Sequence, residues 1–317
     1  MCYTLSERVI YVLLIGIDGG GTKTELCLFS YDGTVISHGL FAASNPVDIG
    51  IDESFEVLSG AICMHFHGVS SVFAGVSGAG VADNNIVLAS RLSCRFSVNV
   101  KVDTDAANVL SLSPDPDDSA IVICGTGSSV FVRKGVTIHR VGGWGYLFDG
   151  SGSGFDIGRD GISHALAVED GLIPPDLLYE RISSLLPGAA FDCISVLHEK
   201  GKPYIASFAK TVIQCAEEGD KASNDILLRS AKRLSVLMSA AVERYSAPRS
   251  FIAAGGILKS DYFRYICRRE SGFELINPTL PPVFGACVEA MRAEGFRTDE
   301  SFRKNFAESY ERVGINA

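Results

Sequence analysis

VIYVLLIGIDGGGTKTELCLFSYDGTVISHG (residues 9–39) and SAIVICGTGSSVFVRKGVTIHRVGG (residues 119–143) follow one plan. Each gives an apolar strand, a Gly-Thr loop, a second apolar strand, a tight glycine turn and a third strand. The turns, Tyr31-Asp32-Gly33 and Arg133-Lys134-Gly135, are hairpin signals. Two hairpins with Gly-Thr tips predict a duplicated domain whose two loops face one ligand, with a cleft between the halves. Glycine-rich tips of this kind suit an anion, so a nucleotide phosphate tail is the expected ligand.

Outward from the first copy, Asn45-Pro46 signals a loop and Asp52–Cys63 a helix carrying Phe55, Leu58 and Ile62 at helical spacing. A strand over Ser71–Val76, a helix over Asp83–Leu92, a strand over Val98–Val102 and a short helix through Leu110 complete a βββαβαβα order with a mixed sheet. Ser113-Pro114-Asp115-Pro116-Asp117-Asp118 reads as a linker. The second copy follows, then a helical stretch from about Phe155 to Tyr245 broken at Gly171–Pro175, Pro187-Gly188 and Gly201–Pro203. A strand over Phe251–Ala254, a helix over Asp261–Arg269, a strand over Phe273–Ile276 and a final helix after Pro281-Pro282 close the chain. The expected fold is α/β: two ribonuclease-H-like domains, 1–117 and 118–317, the second carrying a helical insertion over about 155–245.

The 317 residues suit two domains of ordinary size. An apolar fraction of 47% with 21% charged residues marks a globular chain. A net charge of −9 argues against broad nucleic-acid binding. Val9–Ile17 is too short to span a bilayer and its flanks fit a signal peptide badly, so it reads as a buried strand after a loose start over 1–8. No membrane association is expected. The nine cysteines include no CxxC spacing, which argues against a disulfide framework or zinc knuckle and for a reducing cytoplasm.

Asp18-Gly19-Gly20-Gly21-Thr22-Lys23-Thr24 is the strongest local signal. Its glycines free backbone N–H groups for an anion, Thr22 and Thr24 add hydroxyls, and Lys23 adds charge. Asp18, at a strand end, is placed to hold Mg²⁺ directly or through water. The GxxxxGK[ST] spacing of a Walker loop is absent, and a strand follows instead of a helix. Gly125-Thr126-Gly127-Ser128 is the matching second loop. Asp105 lies between a strand and a helix, where it is either a helix cap or a general base; Asp103 is the rival base. Trp144, the single tryptophan, is a core residue or a pocket wall. Gly255-Gly256 serves an adenine ring or close strand–helix packing. His65-Phe66-His67 reads as a helix end, not a metal site.

DGGGTKT (18–24), SNP (44–46), GVSGAG (75–80), TDAA (104–107), GTGSS (125–129), GGWG (142–145), GSGFDIGR (152–159) and AAGGILKS (253–260) together resemble the sugar-kinase side of the actin-like ATPase superfamily. More narrowly, the chain is similar to the N-acetylglucosamine kinases and the related benzoyl-CoA-reductase-type ATPases. The resemblance implies that Gly20, Gly21, Thr22, Thr126 and Gly127 bind ATP phosphates, with Ala216, Gly255 and Gly256 near the adenosine. It implies that Asn45, Ser77, Gly78, Asp105, Gly143, Trp144 and Gly145 face the sugar, with Asp105 as base. A homodimer is implied by the family alone.

Two departures concern the sugar. Ser129 stands where those kinases have Asn, and Gly150 stands where they have a sugar-contacting Asp, with Asp149 as the available substitute. Both changes shorten polar groups and suit a bulkier amino sugar, such as one with a 3-O-lactyl arm. The iron–sulfur-bridged dimers among these ATPases need paired cysteines that this sequence does not offer. The expected activity is ATP-dependent phosphorylation of an amino sugar of the N-acetylglucosamine or N-acetylmuramic acid class, at the 6-hydroxyl, with ATP and Mg²⁺. The alternatives are a sugar or nucleotide sensor and an ATPase acting on a protein partner.

Overall fold

Strand β1 (Leu13–Gly19) is buried along most of its length, as an unbroken apolar run must be when a strand lies mid-sheet with both faces covered. The protein is represented by a computed structural model that describes residues 12–186, 188 and 190–314. The expected loose start over 1–8, the first residues of the Val9–Ile17 strand, Cys2 and the break at Pro187 lie outside the described residues.

The first sheet adds β2 (Thr24–Ser30), β3 (Val35–Phe41), β4 (Val69–Val76) and β5 (Asn99–Asp103) in the order β3-β2-β1-β4-β5. β1, β2 and β3 form an antiparallel meander, while β4 pairs parallel to β1 and β5 parallel to β4. Between strands run α1 (Pro46–Ile49), α2 (Ile51–His65) and α3 (Asn84–Phe96), and α4 (Asp105–Leu110) follows β5. Asn45-Pro46, expected in a loop, starts the one-turn helix α1: the Asn45 side chain caps it and Pro46 takes its first position. His65 ends α2, as its sequence position predicts.

The second sheet repeats the plan. β6 (Asp118–Cys124), β7 (Ser128–Lys134) and β8 (Thr137–Gly142) form its meander. The insertion consists of α5 (Gly154–Glu169), α6 (Leu177–Leu185), α7 (Ala190–Ser207), α8 (Ala209–Glu217) and α9 (Lys221–Tyr245). β9 (Ser250–Ala254), α10 (Asp261–Ser271) and β10 (Glu274–Ile276) follow. The order β10-β9-β6-β7-β8, with β9 and β10 parallel to β6, is the first sheet's order read from the other end. Among the described residues no helix is long and apolar enough to cross a membrane.

The chain divides into two units, one holding described residues up to Pro114 and from Thr279 onward, the other Asp115–Pro278. The expected second domain, 118–317, is therefore corrected at its end. Helix α11 (Pro282–Ala293) returns to the first unit, where small residues let it lie directly on β1. The Cys287 backbone N is 2.6 Å from where a Cβ on Gly16 would stand. The helix after Pro281-Pro282 is also not the last. α12 (Glu300–Val313) is capped by Asp299 and buries Phe302 and Phe306. These rings meet Phe29 and Phe284 at centroid distances of 5.9 and 4.9 Å respectively.

Phe306 is fully buried, and deleting a core phenylalanine side chain costs about 3–5 kcal/mol. Phe306→Ala is expected to lower the urea midpoint by the equivalent amount. A change under about 1 kcal/mol would contradict the docking of α12.

Candidate active site

In the first unit, the ends of β1 and β4 and the start of α4 bring the predicted residues together. The glycine loop closes on itself through Gly20 N–H donating to the Lys23 carbonyl at 2.9 Å. Ser44 N–H donates to the Gly20 carbonyl, and Ser77 N–H donates to the Gly19 carbonyl at 2.8 Å. The Asn45 side chain accepts from Val47 N–H and donates to Asp48 at 2.6 Å. A Cβ on Gly78, at φ +78°, would overlap the Asn45 side chain, so these two substrate candidates are neighbours. Thr22 is exposed at the loop tip, and Thr24 is buried with its hydroxyl donating to Ser44 at 2.7 Å. Lys23 is ion-paired with Glu25 at 3.2 Å.

Asp105 is the first residue of α4, and Thr104 holds the cap position without a side-chain bond. The cap reading is thus displaced by one residue. The Asp105 carboxyl is bonded by the Ser77 side chain and Ala106 N–H; burial nevertheless holds its pKa above the ordinary carboxylate value. Asp103, the rival base, accepts from Thr104 N–H at 2.7 Å.

Asp18 is held by Asn108, whose Nδ2 donates to Asp18 Oδ1 at 2.7 Å. Burial is the main cause that raises the Asp18 pKa from 3.8 to about 6; the Asn108 bond opposes it, and Asp105 and Glu25 add to the rise. A cation is what two nearby half-buried carboxylates favour. Among the described residues no group of three His, Cys, Asp or Glu could hold a metal. Mg²⁺ needs no such cage, because it keeps waters and shares one or two carboxylates with phosphate oxygens. The donor set around Asp18 fits that mode.

In the second unit, Gly125, Thr126, Gly127, Ser129, Gly143, Gly145 and Asp149 line one cavity of about 300 Å³. The loop is tied to α5 by Gly154 N–H donating to the Gly125 carbonyl at 2.8 Å. Asp149 accepts from Gly143 N–H and, at 2.9 Å, from Trp144 N–H, so it pins the Trp144 loop while lining the cavity. Trp144 itself is 66% exposed, with the Arg140 guanidinium 4.7 Å from its ring centroid. It is neither core nor wall of this cavity. Gly255, at φ +93°, sits against the Cys124 carbonyl where no Cβ fits. Its glycine is explained by close approach to the loop's strand. Ala216 is packed in the core of the second unit and its carbonyl accepts from Asn224 at 3.1 Å.

The sequence reading missed Lys202, Ser151, Ser153 and Asp156, which share the cavity. Asp156 accepts from the N–H groups of Gly152 and Ser153 at 3.0 Å and forms a capping box with Ser153. The Ser-Gly-Phe-Asp spacing at 153–156 was a legible capping signal. Lys202 had none beyond its place beside a helix break.

The model of the BadF/BadG/BcrA/BcrD ATPase family matches residues 15–290. An N-acetyl-D-glucosamine kinase of Dictyostelium discoideum is 26% identical over 89% of this chain and 98% of that protein. An N-acetylmuramic acid/N-acetylglucosamine kinase of Clostridium acetobutylicum is 28% identical over 80% of this chain and 87% of its own. A Chromobacterium violaceum crystal structure superposes with a TM-score of 0.68 at 22% identity, covering 87% of this chain and 98% of that one. A Streptomyces griseus ROK family glucokinase, solved with glucose and AMPPNP, gives 0.55 at 19% identity over 88% and 99%. The two sheets are those of the actin-like ATPase fold.

Asp18's folded pKa of about 6 lies above its ordinary 3.8. Its ionisation therefore costs stability as pH rises through about 6, and the cost is absent below about 3.8. Without Mg²⁺, Asp18→Asn is expected to raise the melting temperature at pH 8 and to change it little at pH 4. An equal shift at both would contradict the burial of an ionised Asp18.

Proposed function

The chain belongs to the BadF/BadG/BcrA/BcrD ATPase family, and we propose that it is an ATP-dependent kinase for an amino sugar of the N-acetylglucosamine or N-acetylmuramic acid class. The observation that carries this reading is the pairing, in one unit, of Asp18 and a base-like Asp105 around a glycine loop. Two relatives of nearly full length bear kinase names of that substrate class, which supports the choice of sugar.

In this reading the sugar's 6-hydroxyl, its primary and least hindered one, attacks the γ-phosphorus of ATP. The hydroxyl proton passes to the Asp105 carboxylate, the new P–O bond forms and the bond to the β-phosphate breaks, releasing ADP. Ser77 orients Asp105 through the hydrogen bond they share. Asn108 fixes the rotamer of Asp18, which would hold Mg²⁺. The ion, when bound, neutralises charge on the phosphates. Each unit's glycine loop, taken by itself, carries backbone N–H groups of the kind that bind phosphate oxygens and strengthen as charge develops. Ser129 lines the cavity of the second unit and is shorter than the Asn that the resemblance expects there, which favours a substituted amino sugar. Cysteine usage and the family resemblance extend the reading to a cytoplasmic homodimer.

Loss of a general base costs about 10²–10⁴ in rate. Asp105→Asn is expected to lower kcat by that factor with the KM for sugar within a few-fold and a melting temperature no lower than that of the wild type. Near-normal kcat would remove Asp105 from the chemistry.

A further inference from the structure

We propose that Lys202 is an oxyanion-binding residue of the second unit's cavity, delivered by a break in α7 to hold the terminal phosphate of the nucleotide. α7 leaves helical geometry at Gly201, whose φ of 61° and ψ of −154° suit only glycine. Pro203 then restarts the helix in its first turn, where a missing N–H costs nothing. Gly-Lys-Pro is thus a device that sets one lysine at the discontinuity of a helix.

The lysine reaches the second Gly-Thr loop. A methyl group added at Gly127 would lie 3.5 Å from Lys202 Nζ and would meet nothing else within 4 Å. Packing within the chain therefore gives no other reason for a glycine there. Its absent side chain leaves open space in front of the ammonium. Around that space stand Thr126 and Ser129 and the backbone of the loop, while the Ser128 and Ser151 hydroxyls already donate to the Ser151 and Asp149 carbonyls at 3.1 and 2.9 Å.

The charge itself lacks a counter-ion. Among the described residues Lys202 has no carboxylate within ion-pair distance, and its aromatic neighbour, Tyr146, is 5.7 Å away. The cavity's two acids are engaged elsewhere: Asp149 by two backbone N–H groups, Asp156 by Gly152, Ser153 and Arg159. An ammonium with hydroxyl and N–H donors around it and no acid to neutralise it is a receptor for oxyanions, and lysine serves phosphate as a point charge. A carboxylate on an acidic sugar has the same chemistry. The terminal phosphate is favoured because Lys202 faces the glycine loop, and its identity as ATP rests on the kinase reading above.

The test compares wild type, Lys202→Met and Lys202→Arg by calorimetric titration with ATP, ADP, inorganic tripolyphosphate, N-acetylglucosamine and N-acetylmuramic acid. A hydrogen bond to a charged group contributes about 1.5–3 kcal/mol, so Lys202→Met should weaken ATP and tripolyphosphate by about 10–100-fold. ADP should weaken less, N-acetylglucosamine not at all, and Lys202→Arg should recover part of the loss at an unchanged melting temperature. Equal ATP affinity in wild type and Lys202→Met would overturn the inference and leave the kinase reading intact. A loss confined to N-acetylmuramic acid would overturn the phosphate assignment in favour of the carboxylate. Wild type that ignores ATP would sink the kinase reading, and the tripolyphosphate arm would then decide Lys202 alone.

Discussion

The first unit's site depends on one buried side chain, that of Asn108. Its amide nitrogen lies within hydrogen-bond distance of the Ile17 carbonyl, the Gly75 carbonyl and the Asp18 carboxylate. Gly75 on β4 and Gly285 on α11 must both be glycine, because a Cβ on either would overlap Asn108. Three elements are therefore shaped around one residue. Asn108 Oδ1 is left without a partner, a deficit that costs about 1–3 kcal/mol in a buried acceptor. Such a cost is tolerated where an amide has a placing role. Asn108 and Asp105 lie one turn apart on α4, so the tether of Asp18 and the proposed base move as one body.

The second unit solves the same problem differently, although its sheet repeats the first. No tethered carboxylate sits at the end of β6. The loop after β6 is instead stapled to the start of α5 by Gly154 and Phe155, and the turn before α5 is locked by Asp156. One copy thus presents half-buried acids, and the other presents a lysine and hydroxyls with its own acids tied to backbone N–H groups. In the proposed reading, proton and cation handling belong to residues of the first unit and oxyanion handling to residues of the second.

The two Gly-Thr hairpins made the duplication legible, because strand periodicity and turn glycines are local signals that packing reinforces. The mixed sheet followed from them, while the strand order came from the structure. The return of α11 to the first unit was not legible, since it rests on Gly16, Gly285 and Cys287 allowing a close approach across distant sequence. α12 could have been found: Asp299 is a cap, and Phe302, Phe306 and Tyr310 recur at four-residue spacing. Asp18 was readable as a strand-end carboxylate and Asp105 as one between a strand and a helix, but Asn108 looked like an ordinary helix residue. Ala216 was carried over by likeness alone, and the structure packs it in the second unit's core. Lys202 was hidden because Gly201-Lys202-Pro203 signalled only a break, and what a break points at is settled by tertiary structure.

The most direct test of the account is ATP consumption by the purified chain with Mg²⁺ across N-acetylglucosamine, N-acetylmuramic acid, glucosamine, N-acetylmannosamine and glucose. The account predicts turnover strongly dependent on an N-acetylated glucosamine-type sugar, with a sugar phosphate and ADP formed in equal amounts. ATP bound but unconsumed with every sugar, or consumed at the same rate with none, would contradict it.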